Sequence, residues 1–112
     1  MKIIQVRDES EFNKLLKTED NLIIDFYANW CGPCKVLSKA FDDISAEKIF
    51  DDVTVAKLNV DNHPEVAKSY NVMSLPTMVF TKNNESDRKV AKRKVGILQI
   101  QALKDLIGEI YE

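Results

Sequence analysis

Leu22-Ile23-Ile24-Asp25-Phe26-Tyr27-Ala28-Asn29-Trp30-Cys31-Gly32-Pro33-Cys34 decides the fold of this chain, because it reads as a buried strand running straight into a helix that begins on two cysteines. Leu22 to Ala28 is a nearly continuous apolar run, as a central strand covered on both faces requires. After the cysteines, Val36, Leu37, Ala40, Phe41, Ile44 and Ile49 recur at helical spacing, which starts the helix at the motif. The two thiols have only two residues between them. At that spacing they can close a small disulfide ring and reopen it, which makes them a two-electron carrier.

Outward from this segment, Val53 to Val60 reads as a further strand and Ile3 to Val6 as a short first one. Asp8 and Glu11 have capping-box spacing ahead of Phe12, Leu15 and Leu16, an apolar helical stripe. Asn62-His63-Pro64-Glu65 opens a short helix through Val66, Ala67 and Tyr70, with proline in the first turn, where its missing N–H is not needed. Thr77 to Thr81 suits a fourth strand, Lys82 to Asp87 is turn-like, and Arg88 to Val95 suits an exposed edge strand. Leu98, Ala102, Leu103, Leu106, Ile107 and Ile110 mark a C-terminal amphipathic helix. This alternation predicts an α/β protein whose mixed central sheet of about five strands is flanked by about four helices.

The 112 residues suit one domain spanning 1–112, and 45% apolar with 30% charged residues is the composition of a soluble globular protein. A net charge of -2 gives no general reason to expect nucleic acid or an anionic membrane as partner. No apolar run approaches the roughly 20 residues of a membrane span, and Met1 to Glu9 lacks the uninterrupted apolar stretch of a signal peptide, so a cytoplasmic protein is expected. With 2 Cys and 1 His, a four-ligand zinc site within one chain is impossible. A metal bridging two chains, or an inert cysteine pair, is the remaining alternative. Met73 and Met78 are expected to be packing residues, since two thioethers do not make a soft-metal site. No metal is expected, and no cofactor beyond a redox-active Cys31–Cys34 disulfide.

A thiolate attacks a disulfide and a thiol does not, so a redox cysteine needs a depressed pKa and access to solvent. Cys31 falls at the strand-to-helix junction, where free backbone N–H groups and the helix dipole favour negative charge. Cys34 lies one turn further in, placed to resolve an adduct on Cys31. Pro33 stiffens the first turn, and Gly32 leaves room for a partner chain. Asp25 sits in the most apolar strand, six residues before Cys31, where burial raises a carboxyl pKa unless a cation is near. Lys57, in a neighbouring strand, is the expected charge partner. Asp25 is then either a buried structural carboxylate or the proton acceptor for Cys34.

Asp25-Phe26-Tyr27-Ala28-Asn29-Trp30-Cys31-Gly32-Pro33-Cys34-Lys35 resembles the active-site strand, loop and helix start of the thioredoxin family. Further matches follow in order at Val55-Ala56-Lys57-Leu58-Asn59-Val60-Asp61, Leu75-Pro76-Thr77 and Val95-Gly96, so the resemblance covers essentially the whole chain. It implies the thioredoxin fold and dithiol–disulfide exchange, in which reduced Cys31 attacks a disulfide in a client protein, Cys34 resolves the adduct and a thioredoxin reductase restores the dithiol. It also implies catalytic roles for Asp25 and Lys57, a substrate-binding surface at Trp30, Gly32, Pro33, Leu75, Pro76 and Gly96, and a monomer. In the family the proline matched by Pro76 is cis and docks the substrate backbone; the alternative is an ordinary strand-start proline, since most X–Pro bonds are trans. Trp30 is either part of a groove or a packed core aromatic.

Some positions depart from the family pattern. Lys39 stands where a kinking proline is usual, which predicts a straighter helix, and Tyr27 replaces a frequent tryptophan. Met73-Ser74-Leu75 stands where an Arg-Gly-Ile type of sequence is common, which alters the loop that presents substrates to Pro76. Lys82 to Lys94 carries six positive and two negative side chains, read as a solvated edge strand or as a docking surface for acidic partners. A thiol oxidase or disulfide isomerase of the same fold, or a non-catalytic binding subunit, are the rival functions. Gly-Pro between the cysteines resembles the reducing members.

Overall fold

The computed structural model describes residues 1–84 and 87–112. Its elements are β1 (Lys2–Gln5), α1 (Glu9–Thr18), β2 (Asn21–Tyr27), α2 (Gly32–Ala46), β3 (Val53–Asn59), α3 (Pro64–Ser69), β4 (Thr77–Asn84), β5 (Asp87–Val95) and α4 (Ile100–Tyr111). The sheet order is β1-β3-β2-β4-β5. β3 runs parallel to both β1 and β2, whereas β4 and β5 complete the sheet antiparallel. The apolar run of β2 therefore lies in the middle, with ladders on both edges, as its composition requires.

Alternate side chains of β2 feed two apolar layers. Leu22, Ile24 and Phe26 pack with Phe12 and Leu15 of α1 and with Val66 and Ala67 of α3. Ile23 points the other way, toward Leu37, Phe41 and Ile44 of α2 and Leu103 and Ile107 of α4. The same two-residue period puts Asp25 on the α2 side. Its neighbours in register are Lys57 of β3 and Met78 of β4.

Several element ends differ from the sequence-based expectation, each for a local reason. The expected turn from Lys82 to Asp87 is shorter, because the ladder continues through Lys82↔Lys89, Asn83↔Arg88 and Asn84↔Asp87. The rest of that expected turn, Glu85 and Ser86, lies outside the described residues. α2 stops at Ala46, with Lys48 in the left-handed region at φ 58, so Ile49 is off the helix although it still packs on the core. Leu98 likewise packs on the core from just before α4. Asp8 caps α1 by accepting the Glu11 N–H at 2.8 Å, but Glu11 reaches past Asp8 to the Arg7 N–H, also at 2.8 Å, so the capping box is displaced by one residue.

The basic β4–β5 hairpin is not simply solvated. Three of its cations hydrogen-bond carbonyls at the C-termini of three different helices, where free acceptors and the negative end of the dipole favour positive charge. Lys82 Nζ donates to the Ile110 carbonyl of α4 at 3.1 Å. Arg93 donates to the carbonyls of Tyr70 and Asn71, just past α3. Arg88 donates to the carbonyls of Leu16 and Glu19 at the end of α1, and to Thr81 Oγ1 at 3.0 Å.

Arg88→Ala removes all of those bonds and strands half-buried carbonyls, so urea denaturation should show a loss of about 2 kcal/mol. Lys92→Ala, on the same strand but exposed, should shift stability by under about 0.5 kcal/mol. Equal effects from the two would show that the arginine contributes only its charge.

Candidate active site at the start of α2

Cys31 is the N-cap of α2, with extended backbone at φ -90 and ψ 107. Its Sγ accepts the Cys34 N–H at 3.2 Å, the bond that would steady a thiolate there. The two cysteines form a disulfide with Cα atoms 5.3 Å apart. Pro33, in the first turn, has no N–H to leave unpaired. The pair is less open than the sequence suggests, because Cys31 is only 5% exposed. Ala28, Tyr27, Val60 and Leu75 pack around both cysteines. Access is through what flanks them: Trp30, Gly32 and Pro33 are exposed, and a Cβ built on Gly32 would meet no atom within 4 Å.

Beneath this helix start, Asp25 is 1% exposed, and among the described residues neither carboxylate oxygen finds a hydrogen-bond donor. Burial pushes its pKa up to about 7, with the Lys57 charge pulling back only part of the rise. The expected partner is thus felt at a distance rather than bonded. Lys57 Nζ donates instead to Ser38 Oγ at 2.5 Å and lies 5.2 Å from the centre of the Tyr27 ring. A cleft of about 400 Å³ lined by Asn29, Cys34, Lys35, Ser38 and Lys57 opens beside the resolving cysteine.

On the other side of the disulfide, the Leu75–Pro76 peptide bond is cis, which sets aside the ordinary strand-start proline. The Pro76 carbonyl accepts the Gly96 N–H at 2.8 Å, and Gly96 has φ 88, where a side chain would be strained. Trp30 is 72% exposed with its Nε1 donating to Asp61 Oδ2 at 2.9 Å, so it is not a core aromatic. Met78 is fully buried as expected, but Met73 is 92% exposed, which corrects its reading as a packing residue. The loop holds Met73 away from the core, at the rim of a groove of about 260 Å³ that Trp30, Val60 and Leu75 also line.

The fold therefore brings Cys31, Cys34, Leu75, Pro76 and Gly96 to one end of the sheet, with Asp25 and Lys57 below. Two contributing residues escaped the sequence reading. Ser38 lies four residues after Cys34, on the same helical face, and that spacing was the available signal. Asp61 follows β3 as the last residue of the matched stretch Val55 to Asp61, where its bond to Trp30 had no local signal. Among the described residues, no group of three or more His, Cys, Asp or Glu side chains is placed to hold a metal ion, and no helix is long and apolar enough to cross a membrane.

Comparison with known proteins gives one consistent result. The thioredoxin family model matches residues 2–109. A thioredoxin of Mycoplasmoides gallisepticum is 35% identical over 102 residues, 91% of this chain and 96% of the relative. A bifunctional thioredoxin reductase/thioredoxin of Mycobacterium leprae is 34% identical over 107 residues, 96% of this chain and 23% of that protein. Among solved structures, the N21Q mutant thioredoxin from Halobacterium salinarum superposes with a TM-score of 0.82 at 31% identity, covering 99% of this chain and 92% of the other.

Asp25 also sets a pH dependence. A carboxyl whose pKa is raised on folding binds its proton more tightly in the native state, so its stabilising contribution is complete at low pH and lost as pH rises through about 7. Relative to Asp25→Asn, the wild-type protein should lose on the order of 4 kcal/mol between about pH 4 and pH 8, read by urea unfolding at each pH. A constant difference across that range would mean that Asp25 titrates normally.

Proposed function

The chain belongs to the thioredoxin family and is a dithiol–disulfide oxidoreductase, and from that premise we propose that it acts as a protein-disulfide reductase. The Cys31 thiolate attacks one sulfur of a client disulfide, the client S–S bond breaks, and the second client sulfur leaves as a thiolate. Cys34 then transfers its proton to the Asp25 carboxylate and attacks Cys31 Sγ. The client's remaining sulfur is released and the Cys31–Cys34 disulfide forms, leaving the client with both electrons. Asp25 suits this step because burial holds it near the pH at which it must change state. Lys57, held by Ser38, keeps a positive charge near the carboxylate without quenching it in an ion pair.

The observation that carries this reading is the Cys31–Cys34 pair at the start of α2, above a desolvated Asp25 whose oxygens find no hydrogen-bond donor among the described residues. Trp30, Gly32, Pro33, Leu75, Pro76 and Gly96 form the surface on which the client backbone lies. The whole span 1–112 works as one thioredoxin domain and as a monomer, and the disulfide itself is the redox group, with no other cofactor. A thioredoxin reductase restores the dithiol, a partnership supported by the Mycobacterium leprae relative that bears both names. A cytoplasmic setting belongs to the same proposal, since a dithiol that reduces clients has to be kept reduced. The protein is then an electron carrier in cellular redox homeostasis.

Titration of the disulfide against glutathione buffers tests the direction of electron flow. The expected result is a dithiol more reducing than glutathione; a potential at or above about -180 mV, the range of isomerases and oxidants, overturns it. Cys34→Ser should accumulate mixed disulfides with clients at Cys31, and complexes that form without any cysteine would favour a binding module. Asp25→Asn should slow resolution of the mixed disulfide at pH 7 by about 10- to 100-fold while leaving the fold intact.

A further inference from the structure

We propose that Met73 is both a docking side chain for clients and the site of a selective, reversible oxidation that weakens their docking, an inference that rests on the reductase reading above. Of the three methionines, Met1 is 9% exposed, Met78 is fully buried, and Met73 is 92% exposed. An oxidant in solution therefore meets one thioether. Its exposure is built in. Val72 N–H donates to the Ala67 carbonyl at 3.1 Å, Thr77 Oγ1 donates to the Ser74 carbonyl at 2.7 Å, and Arg93 donates to the carbonyls of Tyr70 and Asn71. The loop is tied on both sides of Met73, with the side chain left in water.

The occupant of the groove is the client segment flanking the cysteine under attack. Met73 shares the groove with Trp30, 72% exposed, and with Leu75, which packs against the cluster formed by Ala28, Cys31 and Cys34. Val60 and Leu75 thus join the groove at Met73 to the cluster that holds the reacting sulfurs. A client held in a mixed disulfide at Cys31 has this groove beside it. A flexible thioether at such a place accommodates varied apolar side chains.

A hydroperoxide oxidises this thioether by transferring one oxygen atom to sulfur. The peroxide O–O bond breaks, the peroxide is reduced to water or an alcohol, and the sulfur gives up two electrons to become the sulfoxide. The sulfoxide is polar, and burying it under a client is unfavourable. Methionine sulfoxide reductases reverse the step. The same oxidising conditions that create client disulfides would then lower the rate at which this protein serves them.

The test treats the full-length protein in its disulfide form, in which both cysteines are protected, with hydrogen peroxide and maps the product by peptide mass spectrometry. After reduction by dithiothreitol, kcat/KM is measured for a disulfide-bonded peptide with leucine beside its cysteine. The small disulfide 5,5′-dithiobis(2-nitrobenzoate), which needs no groove, is measured in parallel. The expected result is a sulfoxide at Met73 ahead of Met1 and Met78, about a fivefold loss for the peptide, and little change for the small disulfide. Met73→Leu should abolish the peroxide effect, and Met73→Gln should reproduce it without peroxide. Oxidation elsewhere first, an unchanged peptide rate, or an equal loss with both substrates overturns the inference. Failure of the untreated protein to reduce the peptide at all would instead overturn the reductase reading itself.

Discussion

Desolvation of the Asp25 carboxylate is the constraint around which the redox end of this molecule is arranged. The carboxylate occupies the central strand between Lys57 and Met78, with no donor for either oxygen among the described residues. Such a group is costly when charged, and the two apolar layers that sandwich the sheet supply the stability that tolerates it. A direct ion pair would offset part of that cost, but a bonded ammonium would hold the carboxyl ionised down to acid pH. The Lys57–Ser38 bond prevents that collapse by giving the ammonium a partner elsewhere. The serine comes from the same helix that begins on the cysteines, so one element sets both the sulfurs and the charge below them.

The β4–β5 side of the sheet shows charge used for a different purpose. A run of cations on an edge strand deters pairing with other chains. Here Lys82, Arg88 and Arg93 also satisfy carbonyls at the ends of α4, α1 and α3. The excess of positive charge in this hairpin thus follows from where three helices end. Arg93 also links the edge strand to the loop that carries Met73, so the groove lined by Met73 is tied to a strand that contributes no side chain to the cysteine cluster.

How much of this was legible in the sequence depends on how local each signal is. The β2 run and the helical stripe after Cys34 are local patterns, and both elements formed there, although α2 stops at Ala46, short of Ile49. The cysteines, Asp25 and Pro76 were legible because their chemistry or their match to a known motif singles them out. The bonds of Ser38 and Asp61 were not, since each is made to a partner distant in sequence, Lys57 and Trp30. The lengthened β4–β5 ladder defeated the turn propensity of Lys82 to Asn84, because pairing between strands overrides single-residue preference. Met73 was misread for the opposite reason: an apolar residue is presumed packed, and only the tied loop shows that this one is held out.

The placement of β1 has a consequence for the order of folding. Lys2 pairs with Thr54 and Gln5 with Lys57, and the N-terminal amine donates to the Ile49 carbonyl. Within this chain β1 therefore has no sheet neighbour until β3, at Val53–Asn59, has been made. Of the two neighbours of β3, β2 has the shorter loop to close, across the single α2 crossover, so loop closure favours the β2–α2–β3 unit over the pairing of β1. That unit contains both cysteines and Asp25. In a nascent chain the redox motif would thus take shape early, while β1 is still an unpaired apolar strand that has to wait without aggregating.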